Sequence, residues 1–279
     1  MNYEIVPMIT SGDLIQDKNL YEIGGKALFL REIEIALMHG EIDLAVHSLK
    51  DVSCKLPSQL VISAVLEKED QREVFICKNY KSLEELPLYS RVGTSSIRRK
   101  ILMQSKRPDL EIVTFRGNVD TRVRKLLQGE VDATILAYSG LKRLGLFNEQ
   151  YCHLIRLKDM LPSVGQGIIA IQIRKNDKKM QKICNKINHL KTWWLTQTAR
   201  EFLKYLDASC ETPVAACSEY VTIPSPAKRQ MQEKIYTEFM LARNDGSKIV
   251  FHNEISSKKD CKNTGRKAAK IMTDSLKKD

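Results

Sequence analysis

The feature of this sequence that most constrains its fold is an alternation of short apolar runs with segments whose apolar residues recur at helical spacing. This order is typical of α/β units, in which helices cover a sheet of parallel strands. We predict strands over residues 4–9, 42–46, 60–66, 74–77, 91–93, 111–115, 131–137 and 168–174. We predict helices over residues 26–38, 82–86, 97–104, 119–127, 177–188 and 195–206.

The pattern changes near residue 210, after which short apolar runs precede one helical segment at residues 264–276. This part of the sequence predicts a smaller α+β domain. A chain of 279 residues is long enough for two or three domains. We expect a first α/β domain from residues 1–69 and 165–188, a second α/β domain from 70–164, and the α+β domain from 189–279.

The charge balance indicates an anionic partner. The chain has 45 lysine and arginine residues against 34 acidic residues, a formal net charge of +11. Nucleic acid, a membrane surface and an acidic small molecule would all meet this condition. Aromatic residues make up 6% of the chain and no nucleic-acid-binding motif is recognised, so nucleic acid ranks last. The longest apolar stretches are too short to span a bilayer, and no membrane partner is expected.

The seven cysteines indicate free thiols. They form no CxxC pair and no cysteine–histidine spacing of a zinc site, so no metal is expected. Residues 1–7 lack the basic and apolar regions of a signal peptide. An odd number of cysteines without a secretion signal favours a reducing compartment, and we expect a cytoplasmic protein.

Six basic residues lie near the points where predicted strands give way to turns and helices. In an open α/β sheet these strand ends line one crevice. Separate cations that converge there suit a small ligand with several carboxylates. Asp51 lies among them in sequence and is a candidate for acid chemistry on an anionic substrate. The six are Lys50, Arg98, Arg99, Arg116, Arg122 and Arg143.

The segment 93–99 combines the hydroxyls of Thr94 and Ser96 with two arginines at a predicted helix N-terminus. Such a terminus binds anions through its free N–H groups and its dipole. An ordinary capped helix with surface arginines has the same sequence. The segment therefore indicates an anion site only in combination with the other basic residues.

His47, the pair Lys50–Asp51 and Cys210 keep two interpretations each. His47 follows the apolar run 44–46, which favours a packing role over that of a base. Lys50 and Asp51 form either a surface ion pair worth about 0–1 kcal/mol or, in a drier crevice, a pair that interacts by about 4 kcal/mol. Cys210 is either an exposed reactive thiol or an inert buried one.

Taken together, these segments resemble the porphobilinogen deaminase (hydroxymethylbilane synthase) family. They occur in the family's order and spacing from about Glu4 to Pro213, and the C-terminal segment is compatible with it. The matching residues are Gly24–Phe29, His47–Val52, Val92–Arg99, Arg116–Arg122, Leu136–Gly145, Val164–Gly167 and Cys210 before Pro213.

The resemblance implies a three-domain fold, with two α/β domains like those of periplasmic binding proteins around a cleft and a small α+β C-terminal domain. It implies a transferase of tetrapyrrole (heme) biosynthesis, which condenses porphobilinogen units head to tail with loss of ammonia and gives hydroxymethylbilane. It also implies a dipyrromethane cofactor, bound covalently through a thioether to Cys210, and a monomeric cytoplasmic enzyme without a metal.

The family's site residues map onto this sequence position by position. Asp51 would be the catalytic residue: it would assist departure of the amine, hold pyrrole N–H groups and stabilise a cationic intermediate. A polyanionic chain of pyrroles needs a lining of cations and hydroxyls. By resemblance, cofactor and substrate are bound by Lys26, Ser48, Lys50, Thr94, Ser96, Arg98, Arg99, Arg116, Arg122, Arg143 and Gln166.

Two departures from the family pattern lead to expectations. The family has another strand, turn and helix before the strand matched by residues 4–9, so we expect a truncated first domain with an exposed sheet edge. Ala208 and Ser209 stand where the family has two glycines. If that turn needs a positive φ, each replacement would cost about 1–2 kcal/mol.

Two other functions share some of these features. A binding protein for an anionic metabolite would have the same arginine-lined cleft, but no use for Asp51 or for a modified Cys210. A catalytically impaired, truncated homologue would keep the motifs without the turnover.

Overall fold

In the computed structural model, the described residues, 3–10, 30–209, 211–224 and 231–278, fold around three β-sheets. The strands are β1 Leu44–Ser48, β2 Leu60–Val65, β3 Glu73–Cys77, β4 Arg91–Gly93, β5 Glu111–Val113, β6 Ala133–Ala137, β7 Cys152–Leu154, β8 Ile169–Arg174, β9 Val214–Pro224, β10 Met231–Ala242 and β11 Ile249–Ser256. The helices are α1 Arg31–His39, α2 Ile97–Gln104, α3 Val119–Leu127, α4 Tyr138–Arg143, α5 Lys178–Ile187, α6 Leu190–Leu206 and α7 Cys261–Lys277.

The first sheet has the strand order β1-β8-β2. Its central strand β8 runs antiparallel to both neighbours, with Val46 opposite Ile171 on one side and Ala64 opposite the same residue on the other. The prediction of a parallel sheet is therefore wrong for these pairs. β8 enters from the second sheet, by the return crossing at residues 161–168, and so runs opposite to β1 and β2.

The second sheet has the order β5-β4-β6-β3-β7. Here the prediction of parallel strands holds for β4 with β5 and for β4 with β6. β3 pairs antiparallel with β6 and β7 instead. Every residue of β3 and of β6 is buried, as expected for strands that are covered on both faces.

The third sheet, β9-β10-β11, is fully antiparallel, and α6 and α7 cover it. Its core includes the rings of Phe202 on α6 and Phe239 on β10, whose centroids lie 4.6 Å apart. Two α/β units and a C-terminal α+β unit are thus present, and the predicted fold class is confirmed.

Two predicted elements are absent from the described residues. Residues 3–10 form no strand; the side chains of Tyr3 and Ile5 are 85% and 77% exposed and pack on no sheet. Residues 82–86 form a turn, closed by a hydrogen bond from Leu86 N to Leu83 O, and Pro87 disfavours continuation as a helix. The predicted helix at 26–38 is observed from Arg31 onwards, and residues 26–29 lie outside the described part of the chain.

Two paired crossings, residues 66–72 and 161–168, connect the first and second sheets. Gln71 Nε2 donates to Gln166 O at 2.9 Å, and Gln166 Nε2 donates to Gln71 O at 2.8 Å. The backbone adds a hydrogen bond from Glu69 N to Gly167 O. Gly167 has φ +78°, and a Cβ there would lie 2.8 Å from Glu69 O, so the crossings can approach this closely only with glycine at this position.

The third sheet contacts the same crossing. Lys68 Nζ donates to Ser218 O at 3.0 Å, and Cys217 Sγ lies 3.4 Å from Gln71 Oε1. Among the helices of the described ranges, none is long and apolar enough to cross a bilayer.

Gly265 lies where α7 packs on α6, and this close approach leads to a prediction. A Cβ at Gly265 would collide with the backbone oxygen of Thr198 and lie 3.0 Å from Phe202 N. We expect Gly265→Ala to lower the free energy of unfolding by about 1–3 kcal/mol, measured by urea denaturation.

The matched control is Gly140→Ala, a helical glycine whose added Cβ would meet Val119 Cγ2 at an ordinary 3.5 Å. This variant should be neutral or more stable by up to about 1 kcal/mol. Equal effects of the two substitutions would contradict the proposed backbone collision.

Candidate active site

Lys50 and Asp51 lie in a 3₁₀ turn, Leu49–Asp51, directly after β1. Leu49 is 2% exposed and its N–H donates to Ile168 O at 2.8 Å, so the turn is anchored on the return crossing. Asp51 is exposed beside this anchor. The predicted strand end therefore presents a carboxylate and an ammonium group at adjacent positions.

Lys50 experiences charges from both α/β units. Burial lowers its pKa, Asp51 and Glu73 raise it, and Arg99 and Arg98 lower it. Lys50 and Asp51 belong to the first unit, whereas Glu73, Arg98 and Arg99 belong to the second. The structure thus brings these five charged groups within electrostatic range across the cleft.

The N-terminus of α2 is built by local hydrogen bonds at the end of β4. Ser96 is the N-cap, and its hydroxyl accepts a hydrogen bond from Arg99 N at 3.4 Å. Thr94 Oγ1 accepts one from Ser96 N at 3.2 Å. The Ser95 hydroxyl donates to Phe115 O at 2.9 Å, which fixes this turn against the one that follows β5.

Arg98 and Arg99 are buried, and both pair with Glu73. Arg98 Nη2 donates to Glu73 Oε1 at 2.5 Å, and Arg98 Nη1 donates to Leu161 O at 2.6 Å. Arg99 donates through Nη2 to Glu73 Oε2 at 2.8 Å and through Nε to Oε1 at 3.2 Å. Sequence reasoning treated both arginines as cleft residues and did not foresee this shared carboxylate.

Glu73 is the residue that the sequence analysis missed, because it ends a charged connector that is typical of exposed chain. Its side chain is fully buried. Burial raises its pKa, but the charges and hydrogen bonds of Arg99 and Arg98 outweigh this effect and lower the pKa to about 2. The ion network therefore stabilises the fold above about pH 4.5, and this contribution is lost as the pH falls towards 2.

The turn after β5 adds two more guanidinium groups. Gly117 has φ +113°, and a Cβ there would lie 2.8 Å from Thr121 Cγ2, so this turn requires glycine. Arg122 Nε donates to Gly117 O at 2.7 Å. Burial and then the charges of Arg99 and Arg116 lower the pKa of Arg122 to about 10, while Asp51 raises it.

Not every predicted site residue joins this charged cluster, which consists of Lys50, Asp51, Glu73, Arg98, Arg99, Arg116 and Arg122. Arg143 is exposed at the end of α4, and the described residues show no hydrogen bond or ion pair between it and the cluster. Gln166 is 1% exposed in the return crossing, with its Oε1 unpaired. Lys26 and Cys210 lie outside the described residues.

His47 is a packing residue, as the sequence favoured. It is buried, and its Nε2 lies 2.9 Å from Gln172 Oε1, while Gln172 Nε2 donates to Glu34 Oε1 at 2.8 Å. Burial lowers the pKa of His47, whereas the Gln172 bond and the charge of Asp51 raise it. This buried chain ties α1 to β8 and β1 beneath the turn that holds Lys50.

The chain on the N-terminal side of Cys210 is held by one hydrogen bond from a distant segment and one local hydrogen bond. Cys54 Sγ donates to Ala208 O at 3.2 Å, and Ser209 N donates to Thr212 Oγ1 at 3.0 Å. Positive φ falls on Asp207, at +48°, and on neither Ala208 nor Ser209. The expected strain of the two glycine replacements is therefore absent.

The charge of the cluster decides which groups it can hold. Five cationic side chains face two carboxylates, an excess that suits an anionic ligand with several carboxylates. A dipyrromethane group is such a ligand, and the cluster fits it. In the described residues, no group of three or more histidine, cysteine or acidic side chains could hold a metal ion.

Comparison with known proteins identifies two matching family models. Residues 1–182 match "Porphobilinogen deaminase, dipyromethane cofactor binding domain", and residues 195–274 match "Porphobilinogen deaminase, C-terminal domain". The chain is 59% identical over 278 residues to the porphobilinogen deaminase of Rickettsia akari (strain Hartford), covering 100% of this chain and 89% of that protein. It is 51% identical over 317 residues to that of Rickettsia conorii (strain ATCC VR-613 / Malish 7), covering 99% and 90%.

Similar solved structures are more distant. The periplasmic VFT2 domain of Bordetella pertussis BvgS has a TM-score of 0.38 and 18% identity, covering 57% of this chain and 66% of that one. A putative methionine-binding lipoprotein of Bacillus subtilis has a TM-score of 0.41 and 14% identity, covering 64% and 90%.

The buried chain from His47 to Glu34 leads to a prediction about pH. Burial raises the pKa of Glu34, and the hydrogen bond from Gln172 only partly offsets this. Because this pKa is raised, the carboxylate ionises at a cost to the folded state, and stability falls as the pH rises through the pKa. Glu34→Gln keeps an acceptor for Gln172 and should raise the melting temperature at pH 7.5, with a smaller difference at lower pH.

The control is Glu41→Gln, because the Glu41 side chain is 62% exposed and forms an ion pair with His39 at the surface. It should leave the pH dependence of the melting temperature unchanged. An unchanged or lower melting temperature of Glu34→Gln at pH 7.5 would contradict this account of the buried carboxylate.

Proposed function

This chain belongs to the porphobilinogen deaminase family, and on that premise we propose that its charged cluster binds the carboxylates of porphobilinogen and of the growing chain. The protein is a hydroxymethylbilane synthase, a transferase of tetrapyrrole biosynthesis. It condenses porphobilinogen units head to tail with loss of ammonia and uses a dipyrromethane cofactor.

The observation that carries the site assignment is the electrostatic coupling of Lys50 and Asp51 with arginines of the second unit. Each porphobilinogen carries an acetate and a propionate group, so every condensation adds two negative charges to the bound chain. The guanidinium groups of Arg116 and Arg122 can bind such carboxylates in bidentate fashion. Arg99 already donates to Glu73 through Nε and Nη2, and it contributes its remaining N–H groups and its charge. Lys50 supplies a further positive charge from the opposite side of the cleft.

Hydroxyls and backbone N–H groups at the start of α2 complete the anion site. Ser96 is its N-cap and Thr94 lies two residues before it, at the helix end where N–H groups and the helix dipole favour negative charge. Arg98 acts from behind this turn, since its guanidinium is engaged by Glu73 and Leu161 O. Ser48, Lys26, Arg143 and Gln166 are assigned to the same lining by the sequence match.

Asp51 is the residue to which we assign the chemistry. It is exposed on an anchored turn and lies within electrostatic range of Lys50 and Arg122, so its carboxylate is available to the amine and the pyrrole N–H of a bound substrate. Loss of ammonia leaves positive charge on the pyrrole, which a fixed carboxylate stabilises more in the transition state than in the ground state. The surrounding cations bind the carboxylates of the substrate, and Asp51 acts at the reacting carbon.

Cys210 is assigned as the attachment point of the cofactor, which when bound supplies the terminal pyrrole carbon that is extended. The flanking residues support this: α6 ends in a left-handed turn at Asp207, and Ala208 and Thr212 fix the chain on both sides. By contrast, burial raises the pKa of Cys217 to about 11, which makes that thiol a poor nucleophile.

We also propose the division into residues 1–69 and 165–188, 70–164, and 189–279 as three domains, and a monomeric enzyme of the cytoplasm. The boundaries at residues 69/70 and 164/165 lie within the two paired crossings that connect the first and second sheets, which supports this division. The substrate is a small molecule, and the arginines at strand ends need no nucleic acid or membrane partner.

The role of Asp51 is tested by Asp51→Asn in the full-length protein. We expect the purified variant to retain the cofactor and to lose turnover of porphobilinogen by about 10²–10³-fold, because the charge that stabilises the transition state is gone. Asp43→Asn is the control, since Asp43 is 73% exposed and pairs with Arg174 away from the cluster. Near-normal turnover of Asp51→Asn would remove Asp51 from the mechanism.

The attachment point is tested by mass spectrometry of the intact protein and its peptides. Wild-type protein should carry an adduct of two linked pyrrole units on Cys210, and Cys210→Ser should carry none. Cys54→Ser is the matched control, because Cys54 contacts the same turn through Ala208 O, and it should keep the adduct. An adduct on Cys54, or none in active wild type, would contradict the assignment.

A further inference from the structure

Glu73 holds two arginines at once with the two oxygens of one buried carboxylate. Oε1 accepts hydrogen bonds from Arg98 and Arg99, and Oε2 accepts one from Arg99. A buried ion network of this kind is a weak source of stability, because apolar replacements are often as stable. The network instead orients the two arginines, because a planar carboxylate that accepts several hydrogen bonds restricts the guanidinium groups that it binds.

This network lies between the two crossings and the start of α2. Glu73 is the first residue of β3, directly after the crossing 66–72. Arg98 also donates to Leu161 O, at the start of the return crossing 161–168. The network therefore joins both crossings to the first turn of α2, where Ser96 and Arg99 lie.

Glu73 also acts on the opposite side of the cleft. Lys50 faces four charged groups: Asp51 on its own turn, Glu73 on β3, and Arg98 and Arg99 on α2. Glu73 and Asp51 raise the pKa of Lys50, and the two arginines lower it. Removal of Glu73 would leave two arginine charges that are only partly offset and would favour loss of the Lys50 proton.

We propose that Glu73 is a positioning residue of the condensation reaction, which fixes Arg98 and Arg99 between the two crossings and offsets their charge. Arg99 and Lys50 then meet the substrate carboxylates from opposite sides in a defined arrangement. This inference rests on the assignment of the charged cluster to carboxylate binding, and it adds a residue that never contacts the substrate.

The test uses Glu73→Gln and Glu73→Asp in the full-length holoenzyme. Glu73→Gln keeps the volume and removes the charge, and it should lower kcat/KM for porphobilinogen by about tenfold or more, mainly through a higher KM. Because the pKa of Lys50 falls, the alkaline limb of the kcat/KM–pH profile should move to lower pH. Glu73→Asp keeps the charge, and it should restore part of kcat/KM and the wild-type alkaline limb.

The matched control is Asp109→Asn, which breaks a similar ion pair elsewhere in the second unit. Arg107 donates to Asp109 through Nε at 2.8 Å and through Nη2 at 2.6 Å. This variant should lower the melting temperature without changing kcat/KM or the pH profile. A purely structural role of Glu73 would give the same result for Glu73→Gln.

Several results would overturn the inference. They are a kcat/KM of Glu73→Gln within twofold of wild type, an unmoved alkaline limb, or Glu73→Asp no better than Glu73→Gln. If Glu73→Gln does not fold, a wild-type kcat/KM of Glu73→Asp overturns the inference. Failure of both variants to fold overturns it as well. The wild-type assay and the Asp51→Asn variant test the proposed function, whereas the Glu73 variants test this inference. Failure of the proposed function is therefore distinguishable from failure of the Glu73 inference.

Discussion

The constraint on which this structure depends is that several like charges must stay close together before any ligand arrives. Lys50, Arg98, Arg99, Arg116 and Arg122 come from the chain segments that follow β1, β4 and β5. They repel one another: after burial, the charges of Arg99 and Arg116 lower the pKa of Arg122, and those of Arg99 and Arg98 lower that of Lys50. Repulsion between two unit charges at short range near a protein surface amounts to a few kcal/mol. Two carboxylates offset part of it: Glu73 does so from the buried side and Asp51 from the exposed side. The rest of the fold, above all the paired crossings, holds these turns in place against the remaining repulsion.

The fold was predictable where a local pattern determines it. The apolar runs of β3 and β6 are buried on both faces, and the glycines at 117 and 167 stand where a Cβ would clash. The direction of β8 was not predictable, because a buried strand has the same apolar pattern whether its neighbours run parallel or antiparallel. The run at residues 4–9 shows the converse limit: strand-like spacing forms a strand only where a sheet edge accepts it, and in the part of the chain that the structure describes these residues form no strand.

The convergence of the cations at the site was predictable, but the ion pairs among its residues were not. Because strand ends meet at one crevice, the sequence positions of Lys50, Arg99, Arg116 and Arg122 were enough to predict that they converge. Glu73 was not predictable, since an acidic residue after a run of charged residues has the pattern of exposed chain. Its burial follows from tertiary structure alone, when α2 places two guanidinium groups over the first residue of β3. The sequence likewise gave no sign that Arg98 would be used internally.

The adjacent arginines of α2 have two different roles. One contacts the return crossing, and the other lies near the cations of the charged cluster. Successive residues of a helix differ by about 100° in direction, so neighbours in the first turn face different parts of the surroundings. Both arginines act on Lys50, but Arg98 reaches Leu161 O on the return crossing, whereas Arg99 lies within electrostatic range of Arg122. A single carboxylate between them fixes both, because each guanidinium presents several N–H donors in one plane. Glu73, which offsets part of the repulsion among the cations, thus also couples the geometry of the cluster to the two crossings that connect the first and second sheets.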